Sequence, residues 1–201
     1  AKRILVIDDL ADRRHDCDAL LDQNININLK NRYINLVPPM CRLFLGPKYC
    51  FLRSEFYELK NSVKPRSGRI KNILVFFGGV DIENNTKKAI SSINRVLNKL
   101  RPENSIHIDV VIGSEHPALE KIKAMCQEEI FTCHIETNKM ARLMANADLA
   151  IGAGGISTYE RLYLRLPSIL KPTSSNQVEP LSYMSSVGLF ELFSTESDLE
   201  K

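Results

Sequence analysis

From Ile73 onward, short apolar runs alternate with stretches whose apolar residues recur at helical spacing, and this alternation constrains the fold more than any other feature. Residues 73–77, 106–112, 131–135, 148–151 and 168–170 each read as a strand bounded by glycine or polar residues. Between the first two, Ala89, Ile90, Ile93, Val96, Leu97 and Leu100 form a stripe of helical period. Pro117 suits the first turn of a helix reaching about Glu129, and Asn138 stands where it caps a helix bearing Met140, Leu143, Met144 and Ala147. Further helices are predicted over residues 157–166 and 177–187. Strand and helix in this order mean βαβ units, right-handed crossovers and a parallel sheet, so the class is α/β and Rossmann-like.

The fourth of these strands ends in Gly152-Ala153-Gly154-Gly155-Ile156-Ser157-Thr158-Tyr159-Glu160. Glycines admit a bound group close to the backbone, Ser157 and Thr158 are good helix caps, and a helix start offers unpaired N–H groups with the positive end of the dipole. Such a turn suits a phosphate, and Glu160, expected in the first helical turn, suits the hydroxyls of a ribose. A dinucleotide fingerprint is excluded: its third glycine would fall at Ser157, and no acidic residue follows at the required distance. The plainer alternative is a tight turn with Glu160 favouring the helix dipole. In a parallel sheet ligands bind beyond the carboxyl ends of the strands. Three such turns, residues 77–81, 152–158 and 173–177, fall at that edge and point together to a phosphate-bearing ligand.

The N-terminal third reads differently. Residues 3–7 form a short buried strand followed by Asp8-Asp9, and residues 17–21 a second. Residues 24–57, interrupted by Pro38, Pro39, Gly46 and Pro47, read as a long irregular connection, and residues 60–71 as a basic linker. The start resembles an interior strand and not a signal peptide, so the chain reads as beginning, and ending at Lys201, within a larger protein. A net charge of +3 with scattered basic residues gives no argument for nucleic acid, and no apolar run is long enough for a membrane span. Five cysteines without a C-x-x-C pair argue against a disulfide framework and a zinc site; Cys17 and Cys133 read as buried thiols of a cytoplasmic protein. Of the four histidines, His15 beside Asp16 and Asp18 is the one acid–base candidate, with a structural role favoured. His107 and His134 lie in strands, and His116 caps a helix.

Several segments taken together carry a family resemblance: Ile7-Asp8-Asp9 with Arg14-His15-Asp16-Cys17-Asp18 and Leu21-Asp22-Gln23-Asn24; Leu45-Gly46-Pro47-Lys48-Tyr49 with Leu52-Arg53-Ser54-Glu55-Phe56; Phe77-Gly78-Gly79-Val80-Asp81; Met140-Ala141-Arg142-Leu143-Met144; the glycine turn; and Asn176-Gln177. Over nearly its whole length the chain resembles the UDP-2,4-diacetamido-2,4,6-trideoxy-β-L-altropyranose hydrolases of bacterial pseudaminic acid biosynthesis. The resemblance implies the two-domain glycosyltransferase B fold, with residues 1–66 the later part of an N-terminal domain plus the interdomain segment and residues 67–201 the UDP-binding domain. It also implies release of UDP by water with inversion, without metal or cofactor. The G-x-G-H loop that carries the family's general-base histidine has no counterpart here, so no catalytic residue is assigned, and Thr173-Ser174-Ser175 departs from the family's pattern before Asn176.

On this reading the N–H groups of Gly155, Ser157 and Thr158, with the two hydroxyls, take a phosphate in a turn that includes Gly154 and Ile156. Gly78 and Gly79 line the opposite side, Glu160 accepts from the ribose, and uracil is read by backbone near Ile135-Glu136. Asn176 and Gln177 contact sugar or phosphate, helix capping being the alternative. The expected partner is a small UDP-sugar, with no nucleic acid or membrane; an inverting glycosyltransferase or a non-catalytic nucleotide-sugar module are the alternatives.

Overall fold

The computed structural model describes residues 2–29, 31–100 and 106–200; Ala1 and Lys201, the two ends at which the sequence reads as interrupted, lie outside the described residues. Two parallel sheets organise the chain. The smaller joins β1 (Leu5–Ile7), β2 (Ala19–Asp22) and β3 (Arg42–Leu45) in that order. The larger contains β4 (Asn72–Phe76), β5 (His107–Ile112), β6 (Phe131–Ile135), β7 (Leu149–Ala153), β8 (Ser168–Lys171) and β9 (Glu191–Leu192). Its spatial order is β6-β5-β4-β7-β8-β9, with every neighbouring pair parallel. The order reverses between β4 and β7, which opens a crevice at their carboxyl ends, the position where doubly wound sheets bind ligands.

Side chains alternate between the two faces of this sheet, and each face has its own core. Ile73, Val75, Ile108, Val110 and Ile112 pack with Ala89, Ile90 and Ile93 of α2 (Asn85–Leu100) and Ile122 of α3 (Leu119–Met125). Leu74, Val111 and Ala150 face the other way, toward Phe56 of α1 (Ser54–Leu59), Met140 and Met144 of α4 (Met140–Asn146), and Leu164 after α5 (Ile156–Tyr163). The α2 stripe is thus buried at Ala89, Ile90 and Ile93, only partly at Val96 and Leu97, and exposed at Leu100. Two helices complete the chain, α6 (Ser175–Ser186) and α7 (Glu196–Leu199).

Several expectations are corrected. The segment read as irregular holds β3, a single 3-10 turn (Pro47–Tyr49) and α1. Helix α3 is shorter than predicted and starts two residues after Pro117; the turn before α4 is closed by Thr137, whose hydroxyl accepts the Lys139 N–H at 3.1 Å, and not by Asn138. β1 is not buried: Leu5 and Ile7 are more than half exposed. Cys17 is buried as expected, but Cys133 is only half-buried. The basic segment 60–71 is docked, because the Arg66 guanidinium donates to Met144 O, Ala147 O, Leu164 O and Arg165 O at 2.8–3.1 Å. Those carbonyls end α4 and α5, where helices leave acceptors unpaired and the dipole favours a cation.

Candidate functional site

At the carboxyl edge of the larger sheet lies a cleft of about 640 Å³, within the range of small-molecule sites. Five of the six strand ends contribute: Gly78 and Gly79 after β4, Gly113 after β5, Glu136 and Thr137 after β6, Ala153 and Gly154 around the end of β7, and Thr173 after β8. Ile156, Ser157 and Glu160 of α5, Gln177 of α6 and Arg53 close the sides. Of the residues singled out in the sequence, the structure brings Gly78, Gly79, Gly154, Ile156, Ser157, Glu160 and Gln177 into this cleft. Gly155, Thr158 and Asn176 instead line a second cavity of about 200 Å³, bordered across from α5 and α6 by Asp9 after β1 and by Gln23 and Asn24 after β2. Ile156 and Gln177 border both spaces.

The wall after β4 is held by a buried network. Gly78 has φ +94°, and Gly113 donates its N–H to Gly79 O at 2.9 Å; a Cβ on Gly113 would stand 2.6 Å from that oxygen. Asp81 closes the start of α2, accepting from Thr86 N at 2.7 Å and from Asn85 N at 3.0 Å. Burial opposes its ionisation, but those amides, the Thr86 side chain and His116 outweigh it and hold the carboxyl below its ordinary value. His116 is the link to the next loop: Nδ1 accepts the Ala118 N–H at 3.1 Å, so Nε2 carries the proton and faces Asp81 at 3.4 Å. The capping expected of His116 is not what the structure shows: Ala118 is the N-cap of α3 with no side-chain cap, and His116 closes the turn just before it while contacting Asp81.

The three glycines after β7 answer to three different demands. A Cβ on Gly152 would lie 2.1 Å from Phe76 O, so this glycine serves the close approach of β4 and β7. A Cβ on Gly154 would lie 2.5 Å from Leu181 Cδ1, so α6 packs over it. Gly155 is the N-cap of α5 with φ +96°, a conformation that favours glycine. The helix therefore starts earlier than expected: neither Ser157 nor Thr158 is its cap, and Glu160 falls in the second turn. The Thr158 N–H is already committed to Gly155 O at 3.0 Å, which removes it from the expected anion donors. Ile156 and Ser157, the first residues of α5, present amides that have no partner one turn back.

Glu160 is buried and paired. Arg53 Nε donates to its Oε1 at 3.1 Å, while Arg53 Nη1 reaches Glu55 at 3.0 Å and the guanidinium lies 5.1 Å from the Phe56 ring centre. Only Oε1 takes this bond, which leaves Oε2 for hydroxyl donors. Gln177 Oε1 accepts from Thr173 N at 2.9 Å, and Asn176 Oδ1 from Ser174 Oγ at 2.6 Å, so both amides brace the turn before α6. Glu136, with φ +50°, projects beyond β6 and accepts from Ser114. Arg53 went unassigned in the sequence because it is remote from the glycine turn; the signal was its place in the Leu52-Arg53-Ser54-Glu55-Phe56 segment.

The remaining histidines support structure. His15 faces the buried Asp8 at 3.4 Å, and His134 and His107 approach one oxygen of Asp109 at 2.6 Å and 3.6 Å. Among the described residues no group of His, Cys, Asp and Glu is placed to hold a metal, and no helix is long and apolar enough to cross a membrane.

Comparison with solved structures bears on the fold. Over 90% of this chain and 55% of the other, the chain superposes on MurG of Acinetobacter baumannii with a TM-score of 0.57 at 13% identity. The fold is that of the glycosyltransferase B enzymes. No model of a known protein family matches the sequence. Among curated proteins the chain is 30% identical over 159 residues to the uncharacterized protein MJ1062 of Methanocaldococcus jannaschii, covering 76% of this chain and 32% of that one. It is 32% identical over 130 residues to the spore coat polysaccharide biosynthesis protein SpsG of Bacillus subtilis, covering 64% and 37%. The chain thus spans about a third of the length of the curated relatives it matches.

Proposed function

We propose that the cleft binds a UDP-sugar and that the protein works in polysaccharide biosynthesis as a nucleotide-sugar hydrolase. The observation that carries this reading is the junction of the β4 and β7 ends, where the opening amides of α5, the Gly78-Gly79 turn and a buried Glu160 face one cavity. The amides of Ile156 and Ser157 suit a diphosphate, the free Oε2 of Glu160 suits the ribose hydroxyls, and backbone around Glu136 suits the uracil. Arg53, held by Glu160 and Glu55 in the lining of the cleft, is a cation for the same anion. The glycosyl group would extend into the smaller cavity, toward Asp9, Gln23 and Asn24, which supports a domain division at residues 1–66 and 67–201 with the ligand between them.

The name of the Bacillus subtilis relative supports the pathway class. The combination of segments around Asp8, Arg53, Phe77 and Glu160 supports the finer reading: release of UDP from UDP-2,4-diacetamido-2,4,6-trideoxy-β-L-altropyranose with inversion, the base supplied from outside these residues. Placing no metal in the reaction, this mechanism leaves the leaving-group charge to backbone N–H groups and Arg53. The test is calorimetry with UDP, followed by incubation of a full-length form carrying the base with the UDP-sugar in the absence of any acceptor. Glu160→Gln should weaken UDP by about tenfold, the scale of a hydrogen bond to a charged group. UDP release that requires an acceptor would favour the inverting glycosyltransferase, and no UDP binding at all would remove the nucleotide reading.

A further inference from the structure

Directly beneath the crevice, α5 turns one arginine inward. Arg161 is 1% exposed, and its Nη1 donates to Ala153 O at 2.8 Å and its Nη2 to Phe76 O at 3.2 Å, while Nε has no partner. The fork therefore ties the carboxyl ends of β7 and β4, the two strands between which the sheet order reverses. Gly152 makes the room: a Cβ there would stand 2.7 Å from Nη2. Among the described residues no carboxylate stands within ion-pair distance of this guanidinium; the neighbouring Glu160 gives its bond to Arg53. Burial lowers the arginine's pKa to about 10, so the group is charged at neutral pH.

A neutral donor would satisfy the two carbonyls. Phe76 and Ala153 both line the cleft, so the guanidinium that holds their carbonyls lies directly behind its wall. An unpaired charge is costly to bury, and its retention calls for an anion that completes it. We infer that Arg161 is a positioning residue for the diphosphate: it fixes the two strand ends that shape the crevice and holds, beneath the place proposed for the phosphates, a buried positive charge that the neighbouring Glu160 offsets only in part and without a direct ion pair. The inference rests on the nucleotide-sugar reading of this cleft, and it assigns to a residue outside the cleft wall part of the discrimination between a charged ligand and a neutral one.

The test compares uridine, UDP and inorganic pyrophosphate by calorimetry on the wild type, Arg161→Met, Arg161→Gln and Arg161→Lys. The neutral variants should lose UDP and pyrophosphate affinity by about tenfold while uridine changes by less than about twofold, and Arg161→Lys should retain most of the preference for UDP. An unchanged ratio of UDP to uridine affinity, or an equal loss for both, overturns the inference and leaves the nucleotide reading standing. A wild type that binds neither UDP nor pyrophosphate removes both. Should the neutral variants fail to fold, pyrophosphate binding to the wild type at low and high salt decides. Attraction to a buried charge persists where exposed charges are screened, and a complete loss of binding overturns the inference.

Discussion

A methyl group on Gly152 would overlap a backbone oxygen at 2.1 Å, and backbone in the middle of a paired sheet cannot give way. Gly152→Ala should therefore destabilise by about 1–3 kcal/mol or more, read as a lower urea midpoint. At Gly154 the obstacle is the far end of the Leu181 side chain, which can rotate, so Gly154→Ala should cost less. The order of the two midpoints checks the assignment; equal losses would mean that both glycines answer to packing of the same kind. The comparison also bears on reading such turns from sequence. A G-x-G-G string suggests backbone opened for a ligand, yet one of these glycines serves a neighbouring strand, one a helix, and only Gly155 a left-handed backbone at the helix start.

At the scale of elements, two helix-terminal devices carry the layout. Arg66 gathers four carbonyls from the ends of α4 and α5. Arg66→Ala should lower stability by about 2–4 kcal/mol given several hydrogen bonds to a charged donor, and Arg66→Lys should not restore it, because an ammonium lacks the planar fork. Hydrogen exchange should quicken at the ends of α4 and α5 in both. At the other end of the sheet, Asp81 caps α2. Its folded-state pKa lies below the ordinary 3.8, so its contribution is complete above 3.8 and is lost as pH falls through the lower folded value. In thermal melts across that acid window, the Asp81→Asn protein should show a shallower decline than the wild type.

These devices mark the limit of what sequence pattern discloses. β4 to β8 are runs of apolar residues with a period fixed by the sheet, and they are visible in the chain itself. β3 hides because Arg42-Leu43-Phe44-Leu45 is short and lies between prolines, β9 because two residues make no pattern, and α1 because six residues make less than two turns. Arg53, Arg66 and Arg161 act through reach across tertiary structure, and a lone arginine in sequence carries no sign of where its guanidinium will arrive.

At the scale of the whole molecule, the question is how the two sheets are kept in register around the crevice. Tyr159, on the same helix as Glu160 and Arg161, sends its hydroxyl to the smaller sheet's side: it donates to Asn24 Oδ1 at 3.1 Å and accepts from Ile25 N at 3.1 Å. Burial, with Asp22 and Asp9 nearby, raises its pKa to about 12, so the hydroxyl keeps its proton throughout the neutral range. Gln23 accepts from Phe51 N at 3.2 Å, and Arg53 adds the Glu160 contact from the connecting segment. One helix thus carries the opening amides of the cleft on one face and the pin to the smaller sheet on another. Tyr159→Phe should cost about 1 kcal/mol, since it removes the partner of the partly buried Ile25 amide. The loss should appear first as faster exchange and proteolysis around residues 23–29, with the larger sheet still protected. UDP at about a hundred times its dissociation constant adds roughly 2.7 kcal/mol to whatever unit it binds. In the wild type that gain should protect both sheets together, because the pin transmits it. In Tyr159→Phe it should protect the larger sheet while residues 23–29 remain open, and equal protection of both in the variant would show that the contacts through Gln23 and Arg53 couple them without the tyrosine hydroxyl.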